Sequence, residues 1–141
     1  MNLYADSSAV LAWLLEEDTA DSIEAAFNGA ELVLASDLTL LECDRVLVRA
    51  HALGELSELE MARRRSILEV VSSHWTVLKI DREVLERARR RFPLEPVRTL
   101  DSLHLATALT ARWAIADVAL LSLDQRVRDN GAALGFDVLP G

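Results

Sequence analysis

Four acidic side chains stand out because each follows an element that would deliver it to one place. Asp6 comes directly after the apolar run Asn2–Ala5, and Asp124 lies two residues beyond Ser122, which ends the apolar run Val118–Ser122. Glu42 sits in the helix pattern that follows Glu31–Ala35, and Asp101 in the first turn of a helix pattern at 99–112. Counting about 100° per residue, Asp101 shares its helix side with Leu105 and Ala108, so its carboxylate points inward and not to solvent. Four like charges share a dry pocket only if something neutralises them. Hard divalent cations with oxygen ligands do this, and Mg²⁺ or Mn²⁺ suits a site open to a phosphate.

The elements that must position these groups alternate. Strands are expected at Asn2–Ala5, Glu31–Ala35, Thr76–Ile80, Val118–Ser122 and Phe136–Leu139. Between them lie helix patterns at 8–17, at 19–29 (stopped by Gly29), at 37–53 (stopped by Gly54), at 57–72, at 81–91 and at 99–112. A last short helix opens at Asp124 and ends near Gly135, while Pro93 and Pro96 break the chain ahead of Asp101. Alternation of this kind predicts a three-layer α/β/α fold with a central, mostly parallel sheet, as a single domain over residues 1–141. In such folds ligands bind outside the carboxyl ends of the strands, which is the edge that Asp6 and Asp124 follow. Asp101 joins them if the Pro93–Arg98 loop returns to that edge.

Composition narrows the field. The 141 residues are 51% apolar and 27% charged, which is a globular balance with a sizeable core. The net charge of −8 has the wrong sign for binding nucleic acid by bulk electrostatics alone, and suits a protein that gathers cations or meets a basic partner. A single cysteine, Cys43, excludes an internal disulfide and fits a cytoplasmic address. There is no Cys/His zinc pattern, the N-terminus does not read as a signal peptide, and the longest apolar run is too short for a membrane span.

Four blocks resemble the PIN domain family, in order and spacing, over nearly the whole chain. "LYADSSAVLAWL" resembles the opening block, with Asp6 as the strand-end aspartate followed by Ser7. "LTLLECDRVLVR" is similar to the second, its glutamate being Glu42, and "TLDSLHLATAL" to the third, its aspartate being Asp101. "LLSLDQRV" resembles the fourth, with Ser122 and Asp124 in a Thr-x-Asp-like pattern. In length and flavour the chain is similar to VapC-type toxins of bacterial toxin–antitoxin pairs. The resemblance implies a divalent-metal-dependent endoribonuclease inhibited by a cognate antitoxin, and a homodimer.

That chemistry explains the residue types. Hydrolysis of a phosphodiester needs an activated water and relief for charge on the leaving oxygen, and one or two divalent ions supply both. Asp6 and Asp101 are the expected principal ligands, and Glu42 and Asp124 complete the cage. Ser7 positions the backbone after Asp6 or reaches a phosphate, and Ser122 orients Asp124. Arg98 is a candidate RNA-phosphate contact. The expected cofactor is Mg²⁺, with Mn²⁺ able to substitute, and the expected products carry 3′-hydroxyl and 5′-phosphate ends.

Each residue also has a plainer reading. Asp101 favours a helix N-terminus capped by Thr99, Glu42 pairs with Arg45 or Arg49, and Asp124 is itself an N-cap. Asp117 rivals Asp124 as the fourth acid but precedes its strand. His104 reads as packing, Cys43 as a small buried hydrophobe, and Trp13, Trp75 and Trp113 as core or interface residues. Arg63–Arg65 and Arg89–Arg91 read as solvated helix faces, with RNA-phosphate contact as the functional alternative. As whole-protein alternatives stand a housekeeping PIN-type nuclease, a metal-dependent phosphatase or receiver-like domain, and a non-catalytic module for a basic partner. Against the phosphatase and receiver readings, Asp6 has no second aspartate two residues on.

Overall fold

A computed structural model describes all 141 residues. The strands are β1 (Asn2–Ala5), β2 (Leu32–Ser36), β3 (Thr76–Leu78), β4 (Val118–Leu121) and β5 (Val138–Leu139). The helices are α1 (Ser7–Leu14), α2 (Ala20–Gly29), α3 (Asp37–Ala52), α4 (Glu58–Ser72), α5 (Arg82–Ala88), α6 (Thr99–Ala114) and α7 (Gln125–Ala133). All strand pairs are parallel, in the order β3-β2-β1-β4-β5.

Period-two alternation along the strands builds two cores. Leu3 and Ala5 of β1, with Ala119 and Leu121 of β4, pack on α1–α4 through Ala9, Val10, Ile23, Cys43, Leu47 and Leu68. Tyr4, Leu120 and Val118 face the other way, onto Leu105 and Ala108 of α6, Val127 of α7, and Phe92. Gly131 of α7 lies so close over Leu120 that a Cβ there would collide with that buried side chain. The missing Cβ lets α7 settle on β4, with Asp124 at its start.

The strand order places a reversal between β1 and β4. From β1 the chain builds outward to β2 and β3, then crosses back to β4 and β5 on the other side. Such a switch point leaves a crevice at the carboxyl ends of the two central strands. The register sets Ala5 beside Leu121, and the Asp6 N–H donates to the Leu121 carbonyl at 3.1 Å, so Asp6 and Ser122 are neighbours.

The expected ends move in several places. α5 stops at Ala88, and residues 89–98 form an irregular segment held by the Glu95 carboxylate, which accepts from the Phe92 and Val97 N–H groups. β3 and β5 are shorter than expected. Phe136 falls outside β5, with its side chain buried in the second core. α6 runs two residues past 112, to Ala114. Trp13 meets Phe27 edge-on and Trp75 meets it at a tilt, with centroids at 5.6 and 5.4 Å, and both pack, partly buried, against the first core. Trp113 does not join them: it is 88% exposed. No helix is long and apolar enough to cross a membrane.

Candidate metal centre

Asp6 is 2% exposed and forms the floor of the crevice. It is the N-cap of α1, where Oδ1 accepts from the Ala9 N–H at 3.1 Å and from the Ser8 hydroxyl at 2.6 Å. Oδ2 accepts from the Ser122 hydroxyl at 2.5 Å. Every donor to this carboxylate is neutral, and no lysine or arginine forms an ion pair with it. Burial therefore pushes the Asp6 carboxyl above its ordinary range, and the His104 ring and the two serine hydroxyls offset only part of that.

Glu42 arrives from the neighbouring strand. Ser36, at the end of β2, is the N-cap of α3 and forms a capping box with Thr39. The Thr39 hydroxyl donates to the Ala5 carbonyl at 3.1 Å, which ties the start of α3 to the end of β1. Glu42 is one turn further on. Its Oε1 accepts from the Ser7 hydroxyl at 3.0 Å and from His104 Nε2 at 2.6 Å. Burial alone would raise the Glu42 carboxyl, but the bonds and charge of His104 and the Ser7 bond outweigh it, and the net direction is down. The pairing with Arg45 or Arg49 does not form; Glu42 points into the crevice instead.

His104 was expected to be packing, and its ring does stand edge-on to Tyr4 in the core. It also does more. An ionised carboxylate only accepts, so Nε2 carries a proton toward Glu42. On the other side of the ring, Nδ1 shares a hydrogen bond with the Tyr4 hydroxyl at 2.9 Å. Burial keeps that phenol protonated. The chain Tyr4–His104–Glu42 thus fixes the glutamate from the core outward. The available signal was spacing: His104 lies one helical turn from Asp101.

Asp101 and Asp124 rim the opening. Asp101 is in the first turn of α6, as expected, but Thr99 is the first helical residue and not the cap; Arg98 occupies the cap position without a side-chain bond. Asp124 is the N-cap of α7, its Oδ1 accepting from the Arg126 and Val127 N–H groups, and its Oδ2 faces Arg98 across the crevice. The Arg98 guanidinium joins the two acids, at 3.3 Å from Asp101 and 3.5 Å from Asp124. Ser122 does not orient the Asp124 carboxylate: its hydroxyl donates to Asp6, and its oxygen accepts the Asp124 N–H. Ser8, which sequence reasoning passed over for Ser7, accepts the Leu123 N–H and so locks the β4 end to Asp6. Asp117 lies at the opposite edge of the sheet, beside the N-terminal amine.

Asp6, Glu42, Asp101, Asp124, His104 and Arg98 therefore line one open cavity of about 370 Å³. No three of its Asp, Glu, His or Cys side chains lie close enough together to enclose an ion as they stand, and Arg98 bridges two of the four acids. The donor chemistry still fits a hard divalent cation. All four acids offer oxygen, and Asp6 is a buried carboxylate with no cationic partner. Cys43 lies below the site with its thiol pushed up to about 12 by burial, so it supplies no thiolate.

A parallel α/β sandwich with four carboxylates at its switch point defines a class of acidic-cleft proteins suited to phosphate chemistry. The particular family follows from comparison. The PIN domain family matches residues 3–132. Ribonuclease VapC46 of Mycobacterium tuberculosis is 31% identical over 137 residues, spanning 97% of this chain and 95% of that protein. The chain belongs to the PIN domain family. Among solved structures, FitAcB from Neisseria gonorrhoeae superposes with a TM-score of 0.74 at 15% identity, covering 98% of this chain and 96% of that one. VapC20 of Mycobacterium tuberculosis, described as a Sarcin-Ricin loop cleaving toxin, superposes at 0.64 with 14% identity and 95% of each chain covered. A toxin–antitoxin complex from Klebsiella pneumoniae gives 0.64 at 17% identity, with 99% and 97% covered.

Proposed function

We propose that this chain is a divalent-metal-dependent endoribonuclease and the toxin of a toxin–antitoxin pair, acting in the cytoplasm as a homodimer. One observation carries the chemistry: Asp6, a buried carboxylate without a cationic partner, floors a cleft rimmed by Glu42, Asp101 and Asp124. Family membership supplies the context. VapC46 is a ribonuclease by name, and the Klebsiella neighbour is a toxin–antitoxin complex.

Asp6 and Asp101 would hold a Mg²⁺ or Mn²⁺ ion principally, with Glu42 and Asp124 completing the set directly or through water. When bound, such an ion supplies Lewis acidity for the phosphodiester, its leaving oxygen and the attacking water. The protein's own residues do the positioning. Ser8, Ser122 and the Ala9 N–H fix both oxygens of Asp6. Ser7 and His104 fix one oxygen of Glu42 and leave the other for the cleft. Arg98 is 66% exposed at the mouth of the cavity, long enough to exchange its carboxylates for an incoming phosphate.

Expression alone should arrest bacterial growth, and co-expression of the cognate antitoxin should relieve the arrest. RNA fragments recovered from arrested cells should carry 5′-phosphate and 3′-hydroxyl ends. Unchanged growth and intact RNA at high expression of the folded protein would defeat the toxin reading.

A further inference from the structure

The acidic cleft is continuous with a second groove. Thr99 borders both, and beyond it the groove between α5 and α6 is bounded by Ser102 and by Arg89 and Arg90. Arg90 also borders the next hollow, whose far wall is Trp113. From Asp101 to Trp113 the path follows α6 for about 18 Å at about 1.5 Å per residue.

This strip differs in charge from the rest of the molecule. In a chain of net charge −8, residues 87–91 hold four arginines. Arg87 lies over the Phe92 ring and donates to the Arg91 carbonyl. Arg89, Arg90 and Arg91 are exposed, and none of the four forms an ion pair, although Glu86 borders the same surface. Glu83, Glu86 and Glu95 border the same hollows without pairing with these arginines, and burial and the adjacent Arg90 charge hold the Arg87 guanidinium below the usual arginine range. At the end of the strip Trp113 presents its indole to solvent at 88% exposure. Exposed arginines that track a backbone, together with a free aromatic face, are the elements of a single-strand binding surface.

We infer that the strip from Thr99 through Arg89 and Arg90 to Trp113 holds single-stranded RNA next to the acidic cleft, the arginines taking phosphates and Trp113 stacking on a base. This rests on the ribonuclease reading and adds where the strand lies. Some 18 Å accommodates about five nucleotides of a stacked strand at about 3.4 Å per phosphate. Unpaired bases are required because stacking on Trp113 needs an open base face.

The test is fluorescence anisotropy of a labelled single-stranded RNA of about a dozen nucleotides, with EDTA present so that cleavage does not interfere. The double variant Arg89→Gln/Arg90→Gln should bind about tenfold more weakly. Its log K against log salt should flatten by about 1.4, two phosphate contacts at about 0.7 each. Trp113→Ala should weaken binding about fivefold or more, and Trp113→Phe should restore most of it. In Mn²⁺ these variants should raise KM and leave kcat near that of the wild type.

If the wild type cleaves RNA in Mn²⁺ while all three variants bind and cleave as it does, the track is wrong and the ribonuclease reading stands. A wild type that neither binds nor cleaves RNA overturns both. A fall in solution mass on Trp113→Ala, with RNA affinity unchanged, would make this face a contact between two copies of the chain and would also overturn the track.

Discussion

His104 Nε2 and Glu42 Oε1 meet at 2.6 Å across 62 residues of sequence, with the Tyr4 hydroxyl behind the ring. The imidazole is thereby the strut that turns a surface-patterned helix residue into a residue of the cleft. His104→Phe keeps the ring volume and removes both bonds, leaving the Tyr4 hydroxyl buried without that partner. We expect a stability loss of about 1–3 kcal/mol, read from denaturant melts. Calorimetric titration should show Mn²⁺ affinity lower by about tenfold or more, the usual effect of losing a group that orients a ligand. Affinity equal to wild type would mean that Glu42 needs no strut.

Asp6 and Glu42 should respond to neutralisation with opposite signs in chelator. The folded-state carboxyl of Asp6 is raised, so its ionisation costs stability above the unfolded value near about 4, increasingly so as pH rises through the folded value. Asp6→Asn keeps the helix cap and removes that cost, so its Tm at pH 7 should rise by several degrees. Glu42 is lowered, so it contributes stability above its unfolded value and loses it as pH falls through the folded one. Glu42→Gln should melt lower than wild type at pH 7, by less, because solvent screens a half-buried group. Melting curves in EDTA at pH 7 decide this; shifts of the same sign in both variants would contradict the electrostatic account.

Much of this site is legible in sequence, and the illegible part has a physical reason. Asp6 and Asp124 follow strands whose apolar runs are self-evident, and the parallel topology carries both to one edge. The gathering of four acids is legible, but the direction in which each carboxyl shifts is not: Asp6 is raised chiefly by its burial, and Glu42 moves the other way because a histidine meets it. That meeting is tertiary and leaves no local trace beyond the one-turn spacing from Asp101. The choice between Ser7 and Ser8 is equally hidden. Only the cap geometry at Asp6 turns the Ser8 hydroxyl back to the carboxylate and sends Ser7 to Glu42. Trp113 followed an apolar pattern to the last turn of α6 and then outran the core.

Arg98 is the one arginine that pairs with the cleft acids, and it should act on cation and RNA in opposite directions. Arg98→Gln frees Asp101 and Asp124, so Mn²⁺ affinity in calorimetric titration should rise about two- to tenfold. The same variant should raise KM for RNA by about tenfold, the value of one lost charge-assisted bond. Stability should change by less than about 1 kcal/mol, since the pairs are exposed at the guanidinium end. Weaker Mn²⁺ binding in this variant would show that Arg98 supports the ligand set and does not compete for it.

The central claim, that the four-acid cleft cuts RNA with a bound divalent ion, is tested most directly by a cleavage assay. End-labelled RNA is incubated with wild type, Asp6→Asn and Asp101→Asn in Mn²⁺, in Mg²⁺ and in EDTA, after circular dichroism has verified that all three are folded. Wild type should cleave with either ion, stop in EDTA and recover when the ion is restored, while both variants fall by about a thousandfold or more, some 4 kcal/mol of transition-state stabilisation. Cleavage that persists in EDTA, or variants as active as wild type, would contradict the account.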